Sequence, residues 1–280
     1  MPEIGDTYTY GDYIYSYKEY DILWEDSELS EVGWGVKTID RTKETYEPLL
    51  KTINNKPLIT TESLFDSHQN LISLSSDFQI PDTVLSTYDM FACSNIRRLP
   101  QDLKLPEGIK NISGMFFDAT HLENIPSKIT VPASCDNMSY FFFGCSSITE
   151  IPANFRIPNN ILDTESCLEL FGDCKKLKYL PEGFTIPSTA DTLSHMFTNC
   201  EELERLPSTF VVHENIKDIQ RMCLNCPKLT GTIRIDANPT SYDQAFFVSK
   251  TANPITLTGS STMLSSIANT CLSSYRTITI

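Results

Sequence analysis

The stretch MFTNCEELERLPSTF, residues 196–210, sets a Met-Phe pair, a cysteine, a Leu-x-x-Leu-Pro and a further aromatic within one short segment. Alone, it reads like a nucleophilic cysteine placed on a helix. The same pattern, however, is written several times along the chain. Aligned on Leu-x-x-Leu-Pro, the sequence gives LISLS at 71, IRRLP at 96, LENIP at 122, ITEIP at 148, LKYLP at 177, LERLP at 203 and LTGTI at 229. The first step is 25 residues and the others are 26, apart from one of 29 with extra residues near ILDTESC. Self-similarity at this period signals a repeat architecture: one unit buries too little alone, and stacked copies share a continuous core.

Each landmark is preceded by an apolar pair: Leu64-Phe65, Met90-Phe91, Met115-Phe116, Phe141-Phe142, Leu170-Phe171, Met196-Phe197 and Met222-Cys223. Each is followed by a short alternating run, FQIP, LKLP, ITVP, FRIP, FTIP, FVV or IRI, and a degenerate eighth copy, AFFVSKTANPITL, closes the series. Alternation at period two predicts a short strand with one buried face, ended by a proline that cannot donate to a ladder. An apolar residue three positions before the pair (Ile112, Met138, Cys167, Leu193, Ile219) predicts a short helical face shared with it. The fold class that follows is α/β, a solenoid of about eight coils of 25–29 residues, each with short strands and a short helix. With strands about 4.8 Å apart, the stack would run on the order of 40 Å.

A solenoid leaves an edge at each end that needs covering. Residues 1–60 are expected to form an N-terminal cap. They hold a Tyr-rich hairpin around DTYTYGDYIYSY, a strand GWGVKTI and an apolar helix YEPLLKTI ending near Asn54-Asn55. Tyr8, Tyr10, Tyr13, Tyr15 and Tyr17 form one face of that hairpin, packing on the first repeat in preference to docking another chain. Residues 61–258 form the solenoid and 259–280 the C-terminal cap, a helix in SSTMLSSIANT capped by Ser260 or Ser261 and a strand YRTITI.

Composition is that of a globular chain, 40% hydrophobic and 21% charged over 280 residues. A formal charge of −14 repels a phosphate backbone and argues against nucleic acid. No apolar run approaches the roughly 18 residues of a membrane span. The opening MPEIGDTYTYGDY lacks the basic and apolar regions of a secretory signal, so either the chain is used without export or a leader has been removed.

The combination MFxxCxxLxxLPxxFxIP, nearly perfect at 196–212 and recognisable from about 64 to 257, resembles bacterial leucine-rich repeats of the BspA-like kind. GDTYTYGDYIYSY, GWGVKTIDRTKETYEPLLKTINNKPL, LTGTIRIDANPTSYD and ITLTGSSTML also resemble modules joined to such repeats in gut Firmicutes and their phages, tail-associated proteins included. The resemblance implies a cell-surface or extracellular adhesin that binds a host or bacterial surface protein or glycan, with a phage tail structural or receptor-binding protein as the alternative. Two departures stand out: a longer loop between Leu-x-x-Leu-Pro and the second strand, and no visible anchoring or export signal.

No residue set supports an enzyme. Cys93, Cys145, Cys174, Cys200 and Cys226 recur two or three residues after the apolar pair, where a small apolar side chain packs against the next coil. The CxxC of Cys223 and Cys226 has no second CxxC and no histidine pair beside it, so no metal or cofactor site is assigned. His68, His121, His195 and His213 are scattered, with His121 and His195 expected in partly exposed turns. No carboxylate pair stands out as a glycosidase site, which leaves a carbohydrate-active surface enzyme as the weakest alternative.

Binding residues are sought where packing leaves the side chain free. The third position of Leu-x-x-Leu points outward, giving a row of Ser73, Arg98, Asn124, Glu150, Tyr179, Arg205 and Gly231. The second strand's outward row is Gln79, Lys104, Thr130, Arg156, Thr185, Val211 and Arg234. Arg and Tyr are the side chains that most often anchor a partner, so Arg98, Asn124, Glu150, Tyr179 and Arg205 are the candidate ligand-binding residues.

Overall fold

The computed structural model describes residues 1–22, 30–46, 48–159, 165–271 and 275–280. Residues 160–164, part of the insertion expected near ILDTESC, lie outside the described residues. The repeats stack as a solenoid-like body with one continuous apolar core running from the N-terminal tyrosines to Cys271. The apolar pairs form its spine. Phe65, Phe91, Phe116, Phe142, Phe171 and Phe197 lie one upon the next, with successive ring centroids 5.3, 5.5, 5.6, 5.9 and 5.8 Å apart. Cys223 takes the next place at the same repeat position and is likewise fully buried.

The short helix expected in each repeat is not formed; the segment around each apolar pair is a run of turns. The destination of its N–H groups explains this. Thr87, Asp89, Phe91 and Cys93 donate to Asn111, Ser113, Met115 and Phe117 of the next coil, at 2.9, 3.1, 2.8 and 2.7 Å. Met90, Ala92 and Ser94, between and after them, donate to the carbonyl three residues back in their own coil. Half the donors thus leave the segment, which an α-helix does not permit. The alternation also places two residues per coil, four apart, at positive φ, as at Asp89 and Cys93, Gly114 and Asp118, Tyr140 and Gly144, and His195 and Asn199. The apolar residues three before the pair are buried as expected, although on a turn and not on a helix. The only α-helix among the described residues, α1 at Leu264–Asn269, follows the last copy, and there the N–H groups of Ile267 and Thr270 return to carbonyls four residues back.

Two rows of isolated parallel bridges bind coil to coil. One runs through the Leu-x-x-Leu landmark, with Ser73 paired to Arg98, Glu150 to Tyr179 and Tyr179 to Arg205. The other, invisible to the landmark alignment, lies four residues before each apolar pair: Thr60, Ser86, Asn111 and Asn137 in one series and Thr192, Asp218 and Ser241 in another. Its small polar side chains have a local task. Ser86 Oγ, Asn111 Oδ1, Asn137 Oδ1, Thr192 Oγ1 and Asp218 Oδ1 each accept the N–H two residues on, opening the turn.

The second strand keeps its alternation but forms a ladder only late. Phe155 and Ile157 are buried around exposed Arg156, and Phe184 and Ile186 around exposed Thr185, without strand pairing. In these copies the proline after the run removes a donor. In the last copies the run is followed by His213 and Asp236 instead, and Asp236 N–H donates to Val212 at 2.8 Å. There a parallel sheet forms, in the order β6 (Val211–Val212), β7 (Gly231–Ile235), β8 (Ile255–Thr258), β9 (Ile278–Thr279).

The N-terminal region is a five-stranded sheet of β1 (Thr7–Tyr10), β2 (Tyr13–Asp21), β3 (Ser30–Ile39), β4 (Thr52–Ile53) and β5 (Lys56–Thr60), ordered β1-β2-β3-β5-β4. Tyr13, Tyr15 and Tyr17 are buried, whereas Tyr8 and Tyr10 on the edge strand are exposed. The helix expected in YEPLLKTI is not formed among its described residues: Thr52–Ile53 is a strand and enters a tight hairpin whose two central residues, Asn54 and Asn55, both have positive φ, at 49° and 62°. β5 continues into the repeats, since Thr60 pairs with Ser86 and Tyr46 packs on Phe65 at 5.0 Å. At the other end α1 has Met263 at its N-cap in place of Ser260 or Ser261. Those serines are held by the preceding coil: Ser260 N–H donates to Asp236 Oδ1, and Ser261 Oγ bonds Asn238 Oδ1.

Candidate functional site

The cysteines are structural, and in a more specific way than size alone suggests. The thiols of Cys145, Cys174, Cys200 and Cys226 donate to the carbonyls of Phe116, Phe142, Phe171 and Phe197, one coil back, at 3.1, 3.1, 3.1 and 2.9 Å. Each thiol therefore stitches a rung of the aromatic spine to its neighbour. Burial holds the thiols of Cys145, Cys174 and Cys200 well above the ordinary cysteine range, the opposite of an activated nucleophile. Cys93 departs from this set. It lies one residue earlier, at the positive-φ position also occupied by Asp118 and Asn199, and is only partly buried. Ser94 stands where the others have cysteine and bonds Phe91 O at 2.7 Å. Among the described residues no group of three or more His, Cys, Asp and Glu is arranged to hold a metal ion, and no helix is long and apolar enough to cross a membrane.

The row of candidate binding residues lies on the outer side of the Leu-x-x-Leu bridges. Arg98, Glu150, Tyr179 and Arg205 are exposed and Asn124 is half-buried. Pairing sets Glu150, Tyr179 and Arg205 on consecutive coils, so their spacing is fixed by backbone hydrogen bonding. The Arg205 guanidinium lies 4.9 Å from the Tyr179 ring centroid, and the Tyr179 hydroxyl donates to Glu204 Oε2 at 2.6 Å. That hydrogen bond holds the Tyr179 phenol above its ordinary value. Arg98 stands apart from this group, with its Nε 3.6 Å from Glu123 Oε2. In the second row, Arg156 is turned back on its own backbone, donating to Phe155 O at 2.7 Å and Ala153 O at 2.9 Å.

A concavity that the sequence did not point to lies on the turn side of the early coils. Tyr88, Asp89, Ser113, Gly114, Phe117 and Tyr140 line a groove of about 260 Å³. Its residues come from three coils, so they are far apart in sequence. Phe117 stacks on Phe143 at 5.1 Å and meets Tyr140 edge-on at 6.3 Å. Gly114 is required twice: its φ is +60°, and a Cβ there would sit 2.0 Å from Asp89 Oδ1. Burial raises the Asp89 carboxyl to about 6, opposed by a hydrogen bond from Tyr88 and reinforced by the charges of Asp66 and Glu62. The trace of this site in the sequence is the second phenylalanine of Met115-Phe116-Phe117.

Comparison with protein families agrees with this architecture. The family model described as BspA type leucine rich repeat region (6 copies) matches residues 60–204 and, overlapping, 153–279. No curated protein and no solved structure matches the chain significantly. With the matched segments spanning well over half of its length, the chain belongs to the BspA-type leucine-rich-repeat family.

Proposed function

We propose that this protein is a non-catalytic adhesion module that binds a surface protein or glycan through the row Arg98, Asn124, Glu150, Tyr179 and Arg205. Membership of the family supports a repeat-based binding role. The observation that carries the choice of face is the cluster of exposed Tyr179 and Arg205 with half-buried Glu204, already fixed by a cation–π contact and a hydrogen bond. Side chains ordered in the free protein lose little entropy on binding, and Tyr and Arg are among the residues enriched at interface hot spots. In this reading residues 61–258 are the solenoid of about eight coils. Residues 1–60 cover its first edge and 259–280 its last, and the place of action is a cell surface.

The test is to screen the chain against arrays of extracellular proteins and glycans, then to measure the best ligand against the Arg98→Ala, Tyr179→Ala, Arg205→Ala triple variant. Loss of one hot-spot residue costs about 2 kcal/mol or more, roughly 30-fold in Kd, so the triple variant should bind at background. A triple variant that binds unchanged would place the site elsewhere, and turnover of a glycan would remove the non-catalytic reading.

A further inference from the structure

The groove of Tyr88, Asp89, Phe117 and Tyr140 shares no residue with the Leu-x-x-Leu row and is not used by the adhesion reading. We propose that it binds an alkylammonium group, the side chain of a lysine on a polypeptide partner. Three aromatic rings wall a space of about 260 Å³, smaller than the pocket a drug-sized ligand needs and suited to a single side chain. One carboxylate, Asp89, stands among them. Among the described residues no ion pair engages Asp89. Glu62 and Asp66 of the preceding coil add negative potential at the same place.

Ring faces attract cations, and a carboxylate accepts a charge-assisted hydrogen bond from one. A primary ammonium satisfies both demands, while a quaternary one has no proton to donate. A guanidinium prefers both carboxylate oxygens in a fork. Here one oxygen lies over Gly114 and the carboxylate already accepts from Tyr88, which leaves room for a point charge. The four-carbon stem of lysine would lie along Phe117 and Tyr140. Tyr140 holds its place at φ +59°, a conformation that bulky residues rarely adopt, so its ring is kept at the groove against a backbone cost.

Titrations monitored by NMR would use an end-blocked Gly-Gly-Lys-Gly-Gly peptide, its Nε-acetylated form, n-butylammonium and methyl glucoside. The lysine peptide should shift the Tyr88, Phe117 and Tyr140 ring signals and the acetylated form should not. Asp89→Asn should weaken binding about tenfold, the scale of one charged hydrogen bond. Asn tolerates positive φ, so that variant keeps the fold, which an unchanged thermal midpoint or a higher one would show. Binding should also decline as pH falls through about 6, since Asp89 is the carboxylate lining the groove; Glu62, Asp66, Tyr88, Cys93, Asp118 and Tyr140 are the other titratable groups around it. Absence of any ring shift with the peptide overturns the site. So does equal binding by Asp89→Asn or the acetylated peptide. Binding of n-butylammonium without the peptide overturns the polypeptide partner, and binding of methyl glucoside alone makes the groove a sugar platform instead.

Discussion

Replacing Phe142 by alanine removes the middle of the aromatic spine. The ring is fully buried, stacked between Phe116 at 5.6 Å and Phe171 at 5.9 Å, with Phe141 at 4.4 Å and Phe155 at 5.7 Å around it. A buried Phe→Ala change costs about 3–5 kcal/mol in transfer and cavity terms. Two stacked neighbours place this one toward the upper end, at about 4–5 kcal/mol. The surrounding rings are held by backbone bonds on both sides, so the cavity has little room to collapse. Because coils are coupled mainly to their neighbours, the loss should also divide the molecule, giving a broader urea transition by circular dichroism. Phe142→Leu, which keeps most of the volume, should cost about 1.5 kcal/mol and retain a single transition. The exposed His121→Ala should stay within about 0.5 kcal/mol of the parent. A loss below about 1 kcal/mol for Phe142→Ala would refute the idea that the stacked rings carry the stack.

Two further outcomes follow from the titrating groups. Asp89 has a folded pKa near 6, above its ordinary 3.8, so the folded state holds its proton longer than the unfolded one and stability falls as pH rises from about 4 to 6. A rise from 3.8 to about 6 corresponds to about 3 kcal/mol, which solvent screening at this half-exposed group reduces to about 1 kcal/mol. Asp89→Asn should therefore raise stability by about 1 kcal/mol at pH 7.5 and by almost nothing at pH 4 in urea titrations, and equal effects at both would contradict the buried-carboxylate account. Of the nine cysteines, only Cys93 is partly exposed, so a thiol reagent on the native protein should label one site, absent in Cys93→Ser. Several fast-reacting thiols would show that the thiol-to-carbonyl stitching is not formed.

What the sequence disclosed and what it hid divide along a physical line. Burial repeats with the sequence, so Leu203, Leu206, Phe197 and Cys200 were assigned inward from spacing alone, and all four are buried. Hydrogen-bond destinations leave a weaker trace. Ile112 with Met115, or Leu193 with Met196, share a face on a helix and equally on a turn that donates to the next coil. The two differ only in which carbonyl accepts, and that carbonyl lies a whole repeat away. The small polar residues four before each pair did carry a local signal, the side chain that accepts from two residues on, and it was hidden by aligning on leucines. Cys93 lies one residue out of register with the cysteines that donate, a shift that the repeat spacing alone does not separate. Of the groove only the extra aromatic Phe117 shows in the sequence, because Tyr88, Gly114 and Tyr140 meet only when coils stack.

Hydroxyl-radical footprinting of the protein with and without its ligand tests the strand-face account most directly. Four tyrosines provide an internal comparison, since Tyr179 is 37% exposed, Tyr8 38%, Tyr10 47% and Tyr275 66%. The account predicts that ligand protects Tyr179 while Tyr8, Tyr10 and Tyr275 oxidise at their free rates. Protection of Tyr8 and Tyr10 with Tyr179 unchanged would contradict it and move the binding surface to the N-terminal sheet.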